Sequence, residues 1–146
     1  MSAPAVRREI PYRYRLMGTK CPNCGALFHP PQRICPKCGS KDLVEEELAW
    51  RGRLVAYTVI RRPPKGYEDY KPYIVGLIEL KDGKLILAQI VDCDIEEVRP
   101  GLKLEATFRR IREDGKSGII EYGYKFRPVI EWNWQEKPSI QEKNQQ

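Results

Sequence analysis

Apolar and polar positions divide the chain into stretches of different rhythm. Residues 1–9 are polar, and from 10 to 20 Tyr12, Tyr14 and Leu16 alternate with Arg13, Arg15 and Met17. That pattern predicts a frayed terminus and then an extended strand, with Pro11 limiting its start. Residues 20–45 carry no sustained period, and their small apolar patch comes from the loop 26–34, with Leu27, Phe28 and Pro30-Pro31. Beyond a charged bridge at Glu45-Glu46-Glu47, the runs 48–60, 73–80, 84–92, 102–111 and 118–126 are rich in Val, Ile, Leu, Tyr and Thr. These predict five β-strands.

Two Asp-Gly turns, Lys81-Asp82-Gly83-Lys84 and Glu113-Asp114-Gly115-Lys116, pair the second run with the third and the fourth with the fifth. Between the hairpins, Asp94-Ile95-Glu96-Glu97-Val98 has room for one helical turn, opened by Asp94 as a cap and closed by Pro100-Gly101. Three strands, a short connector and two strands is the order of an OB-fold barrel, with Gly52 and Gly76 placed where a small barrel bends. The fold class is therefore all-β: a metal ribbon followed by a five-stranded OB-fold barrel. The expected divisions are an arm at 1–19, the ribbon at 20–45, the barrel at 46–130 and a disordered tail at 131–146 anchored by Trp132 and Trp134.

The strand faces carry information about partners. In the fifth run Ile120, Tyr122, Tyr124 and Phe126 lie opposite Glu121, Gly123, Lys125 and Arg127. The second and third runs are apolar on both faces: Tyr73, Val75 and Leu77 oppose Ile74, Ile78 and Leu80, and Leu85 and Leu87 oppose Ile86, Ala88 and Ile90. A barrel has one interior, so the outward set is expected to lie against the ribbon, a terminus or another protein.

Four of the five cysteines change the picture of the first third. Cys21-Pro22-Asn23-Cys24-Gly25 and Cys35-Pro36-Lys37-Cys38-Gly39 place four thiolates for a tetrahedral metal, each knuckle closed by a glycine where the chain turns back. Cys21, Cys24, Cys35 and Cys38 are read as a closed, structural zinc site, with iron as the alternative metal. His29 lies in the loop between them and is read as a loop side chain. Cys93 stands among Asp92 and Asp94, whose charges suppress its thiolate; no nucleophile–base pattern is present, and no enzyme is expected.

Net charge is +6. Residues 1–45 hold eight Lys/Arg against three Asp/Glu, or +5, and residues 46–146 eighteen against seventeen, or +1. No apolar run approaches the ~20 residues of a membrane span, and Arg7, Arg8, Glu9, Arg13 and Arg15 interrupt the first segment. A soluble, cytoplasmic protein without membrane contact is expected. The loop 61–70 combines Arg61, Arg62, Lys65, Gly66 and Tyr67 with two prolines, a set suited to a ligand with phosphates and a flat base, or simply a solvated loop.

Taken together, Arg15-Leu16-Met17-Gly18-Thr19-Lys20-Cys21, the segment from Phe28-His29-Pro30-Pro31 to Cys38-Gly39, Tyr57-Thr58-Val59, Pro72-Tyr73-Ile74-Val75 and Tyr122-Gly123-Tyr124-Lys125-Phe126 resemble a known family. It is the OB-fold family with a rubredoxin-like zinc ribbon, formerly a domain of unknown function. The archaeal type bridges a thiolase and a hydroxymethylglutaryl-CoA synthase. The resemblance implies a non-catalytic scaffold that helps hold the CoA of a shared acetoacetyl-CoA intermediate. Candidate CoA contacts are Arg61, Arg62, Lys65, Gly66, Tyr67 and Tyr73, with Tyr124 and Lys125. Some relatives carry a helical segment before the ribbon, for which this chain is expected to have no room. The competing reading is a single-stranded nucleic-acid-binding module, supported by the basic arm Arg7, Arg8, Arg13 and Arg15.

Overall fold

The computed structural model describes residues 3–131 and opens on a helix, α1 (Ala3–Arg15), where sequence alternation predicts a frayed arm and a strand. The room denied to a helical segment is thus taken by one. Its inward positions, Ala5, Val6, Glu9, Ile10, Tyr12 and Arg13, follow a helical spacing, but half of them are polar, so the buried face carries no apolar stripe. Pro11 sits inside the helix at the cost of one backbone hydrogen bond. Arg13 pairs with Glu9 one turn back at 2.6 Å and with Glu121 at 3.1 Å, while the Tyr14 ring meets Phe108 edge-on at 4.8 Å. Glu121 and Phe108 point to opposite faces of one hairpin, so the helix straddles its edge.

A three-stranded ribbon sheet follows: β1 (Met17–Lys20), β2 (Leu27–Phe28) and β3 (Val44–Glu47), in the order β2-β1-β3. The predicted charged bridge at residues 45–47 is thus a strand, pairing Met17 with Glu47 and Lys20 with Val44. Lys20 offsets part of its acidity through an ion pair with Glu46 at 3.3 Å. Leu16 adopts φ 49, a strained value for a leucine, and is completely buried. Its carbonyl accepts from Leu48 N–H at 3.0 Å, and both leucines enter the barrel core, so the ribbon is bolted to the barrel at its root.

The barrel is β4 (Arg51–Ile60), β5 (Tyr73–Leu80), β6 (Leu85–Ile90), β7 (Lys103–Glu113) and β8 (Ile120–Pro128), closed in the order β4-β5-β6-β8-β7. Both predicted hairpins form, and the chain is mostly β with one helix and an OB-fold barrel. A short 3-10 turn, Ile95–Glu97, follows Asp94 as expected, although the Asp94 side chain makes no capping hydrogen bond. Inward alternation on β5 and β6 gathers Ile74, Ile78, Leu80, Ile86 and Ile90 around Leu54, Leu104 and a fully buried Phe126. Gly76 faces this core, where a Cβ would come within 2.6 Å of Leu54 Cδ1 and 2.7 Å of Ile90 Cδ1.

The fifth strand departs from its sequence pattern at the tip. Ile120 and Tyr122 are exposed, whereas Glu121 and Lys125 are buried. The hairpin runs past the barrel end, so its nominally inward residues find no interior. Helix α1 and the loop after β4 cover the other face instead.

Candidate metal centre and ligand cleft

Each knuckle is a tight backbone turn. Gly25 N–H donates to the Cys21 carbonyl and Gly39 N–H to the Cys35 carbonyl, both at 2.8 Å, with φ 71 and 73 at the glycines. A side chain is disfavoured at such angles. The turns bring Cys21, Cys24, Cys35 and Cys38 together with all four sulfurs within 4.8 Å of one another, and the Cys21–Cys38 and Cys24–Cys35 pairs at 3.5 Å. A tetrahedral ion with metal–sulfur bonds of about 2.3 Å needs sulfurs about 3.8 Å apart, which this quartet fits. None of the four is in a disulfide.

The donor set asks for a cation. Asn23 and then the Ser40 backbone hydrogen-bond Cys38 and draw its pKa down to about 6. At Cys24 a backbone hydrogen bond with Ala26 acts in the same direction. Desolvation and the sulfurs of Cys35, Cys21 and Cys38 outweigh it, and the thiol is pushed up to about 11. Four thiolates at this spacing ionise together only around a metal. His29 is not among the ligands: its Nδ1 lies 3.0 Å from the Met17 carbonyl oxygen and its Nε2 2.8 Å from the Tyr124 hydroxyl.

The second feature arises from how the barrel closes. Strands β6 and β8 run parallel and are in register only at Ile90 and Phe126. Away from that point they part, and Leu87, Ala88 and Gln89 on one side and Gly123, Tyr124 and Lys125 on the other line a cleft of about 1120 Å³. Helix α1 contributes Glu9, Tyr12 and Arg13 to its walls, the ribbon loop His29 to Arg33, and the loop after β4 Pro64 and Tyr67. The Tyr67 ring neighbours those of Tyr70 and Tyr73, with centroids 6.4 and 6.2 Å away. Lys125 is only 3% exposed, and its Nζ sits 4.8 Å from the centre of the Tyr70 ring. Burial, followed by Arg110 and Arg109 nearby, lowers its pKa.

Of the sequence-predicted contacts, Tyr67, Tyr73, Tyr124 and Lys125 meet in this cleft. Arg61, Arg62, Lys65 and Gly66 do not line it and are exposed. Arg13, His29, Gln32 and Arg33 line the cleft without having been singled out as contacts. The only sequence cue was one histidine beside two prolines in a metal ribbon. Cys93 is half-buried, and burial, then Glu97, Asp94 and Asp92, raise its pKa, which leaves the thiol protonated. A second groove, of about 930 Å³ and lined in part by Arg51, Lys81, Lys103 and Glu131, holds none of the candidate contacts. No helix among the described residues is long and apolar enough to cross a membrane. The expected tail beyond Glu131, with Trp132 and Trp134, lies outside the described residues.

Comparisons with known proteins agree with this architecture. Residues 8–44 match the rubredoxin-like zinc ribbon domain of ChsH2, and residues 45–109 match its C-terminal OB-fold domain. A DUF35 domain-containing scaffold protein of Methanocaldococcus jannaschii is 47% identical over 123 residues, covering 84% of this chain and 87% of its own. One from Pyrococcus furiosus is 44% identical over 123 residues, covering 84% and 90%. A probable enoyl-CoA hydratase alpha subunit of Thermomonospora curvata is 31% identical over 105 residues, 68% of this chain but 33% of its own. Among solved structures, the Ltp2-ChsH2(DUF35) aldolase superposes with a TM-score of 0.66 at 28% identity, covering 87% of this chain and 91% of that one. The chain belongs to the DUF35 family, in which a rubredoxin-like zinc ribbon is joined to an OB-fold barrel.

Proposed function

We propose that this protein is a non-catalytic scaffold subunit that bridges a thiolase and a hydroxymethylglutaryl-CoA synthase and helps hold the CoA of their shared acetoacetyl-CoA intermediate. Relatives named as scaffold proteins, and a structural neighbour named as the Ltp2-ChsH2(DUF35) aldolase, support the scaffold role. Two separate apolar surfaces suit a bridge. One is the outer face of β5 and β6, with Leu77, Leu85 and a 69% exposed Leu87. The other is the hairpin tip, where Phe108 stacks on Tyr122 at 5.6 Å beside Ile119 and Ile120. Exposed aromatic and aliphatic groups of this kind anchor protein interfaces. The metal of the ribbon is zinc in this reading, the ion most suited to a closed four-cysteine site.

The single observation that carries the CoA assignment is Lys125. Its side chain is almost wholly covered while its ammonium, against the Tyr70 ring, forms no ion pair with a carboxylate among the described residues; a cation so sheltered is stabilised by an anion. It opens into a cleft that also presents tyrosine faces and the apolar Leu87, a combination matched by phosphates, a flat base and a pantetheine arm.

Calorimetric titration of CoA into the wild type and Lys125→Met tests this. Tenfold or greater weakening in the variant is expected, about 1.4 kcal/mol or more. Equal affinities would remove Lys125 from the site, and no binding by the wild type at millimolar CoA would remove the site itself. The exposed loop charges, tested as Arg61, Arg62 and Lys65 together to Ala, are expected to contribute a smaller, salt-sensitive share. Affinity capture from native extract with recovery of both enzymes in stoichiometric amount tests the bridge. The exposed aromatic cluster of Tyr14, Phe108 and Tyr122 keeps a nucleic-acid reading in play. That reading requires oligonucleotide binding that falls steeply with salt.

A further inference from the structure

We infer that His29 is a positioning residue that ties the metal centre to the cleft, so that metal occupancy and ligand occupancy favour each other; the ligand half of this linkage rests on the CoA reading above. The ribbon loop between Cys24 and Cys35 forms one wall of the cleft through His29, Pro30, Pro31, Gln32 and Arg33. Leu27 packs on the barrel core at the start of that loop, but beyond it the loop has few anchors besides the metal centre. Across residues 21–44 only Cys21 and Cys35 are buried, β2 contributes two register pairs, and Gln32 N–H donates to Thr19 Oγ1 at 3.0 Å. With no core of its own, the loop takes its shape from the ends fixed at the cysteines.

From this loop a single side chain reaches into the barrel's half of the cleft. His29 Nδ1 faces a carbonyl, the oxygen of Met17, so that nitrogen must carry the proton. Nε2 is then an acceptor, and the Tyr124 O–H donates to it at 2.8 Å across 95 residues of sequence. Tyr124 stands on β8 directly before Lys125, and both line the cleft. The chain of contacts therefore runs from cysteine knuckle to loop, from loop to His29, from His29 to Tyr124, and so to the wall that holds the lysine. A ligand that fixes this wall stabilises the loop in its metal-bound form. By reciprocity the metal raises ligand affinity by the same factor.

The test uses the full chain loaded with zinc. Transfer of the metal to a chelating dye is timed with and without CoA in the wild type, Tyr124→Phe and His29→Ala, after metal content confirms that each variant is loaded. At CoA concentrations that calorimetry shows to saturate each protein, CoA is expected to slow metal release three- to tenfold in the wild type and not at all in either variant. Equal slowing in the variants would overturn the linkage through His29. A second readout needs no CoA: the Tyr124 ring resonances are followed as metal is stripped. They are expected to move in the wild type; in His29→Ala they are expected to start displaced and stay put. Ring resonances indifferent to stripping in the wild type would overturn the inference even if CoA binds. A wild type that binds no CoA would sink the functional reading alone, leaving the resonances to decide the linkage.

Discussion

The ribbon and the barrel reach order by opposite means. Twelve buried apolar residues form the core, ten of them from the barrel; the other two, Leu16 and Leu48, form the joint. Between residues 21 and 44 the ribbon fully buries only Cys21 and Cys35, with Leu27 half-buried against the barrel core. One part is held by water leaving apolar surface, the other by four sulfurs around an ion. The barrel should therefore tolerate loss of the metal, and the ribbon should depend on it completely.

The strongest way to break that contrast is Cys35→Ser. The ribbon should lose the metal's share of its folding free energy, on the order of 10 kcal/mol, and its amide resonances should collapse while those of β4 to β8 persist. Collapse of both sets would make the two parts one cooperative unit. Next in size is Phe126→Ala, which empties the centre of the barrel and should cost about 3–5 kcal/mol in denaturant unfolding.

The contact between α1 and the barrel sharpens the comparison further. Glu121 is 6% exposed and accepts from Arg112 at 2.9 Å and Arg13 at 3.1 Å. Burial alone would raise its pKa, but Arg112 and Arg13 prevail and hold it below the ordinary carboxylate range. The folded state thus binds this proton less readily than the unfolded one. Its stabilisation is complete above the unfolded carboxylate pKa, near 4, and fades as pH falls through the lower folded value. Glu121→Gln should cost about 1–3 kcal/mol and flatten the acid limb of the unfolding curve, with α1 the first segment to become protease-sensitive. The smallest effect expected is that of Cys93→Ser, within about 0.5 kcal/mol in unfolding and without change in metal content, because that thiol joins neither part.

The barrel was readable in the sequence because its signals are local. Period-two alternation and two Asp-Gly turns specify hairpins, and the order of five runs specifies their closure. The cysteine spacing was equally explicit about the metal quartet. Helix α1 was hidden for a physical reason: its inward face satisfies a buried glutamate, so Arg13 and Glu9 sit where a helix normally shows leucines. Tyr12-Arg13-Tyr14-Arg15 then mimics a strand. The cleft was half readable. The aromatic loop and β8 were visible as candidates, but the parting of β6 from β8 is a property of the closed barrel, and no short stretch of sequence encodes it.

The pairing of Arg13 with Glu121 joins residues 108 apart in the chain. On the ribosome the cysteine knuckles can capture their ion early, but the first helix lacks the barrel carboxylate that pairs with Arg13 until β8 has been made. At 5–20 residues per second that delay is roughly 5–20 s. For that interval a basic, tyrosine-rich segment is at large beside the growing chain. Strand β8 thus decides when the helix that precedes the ribbon comes to rest.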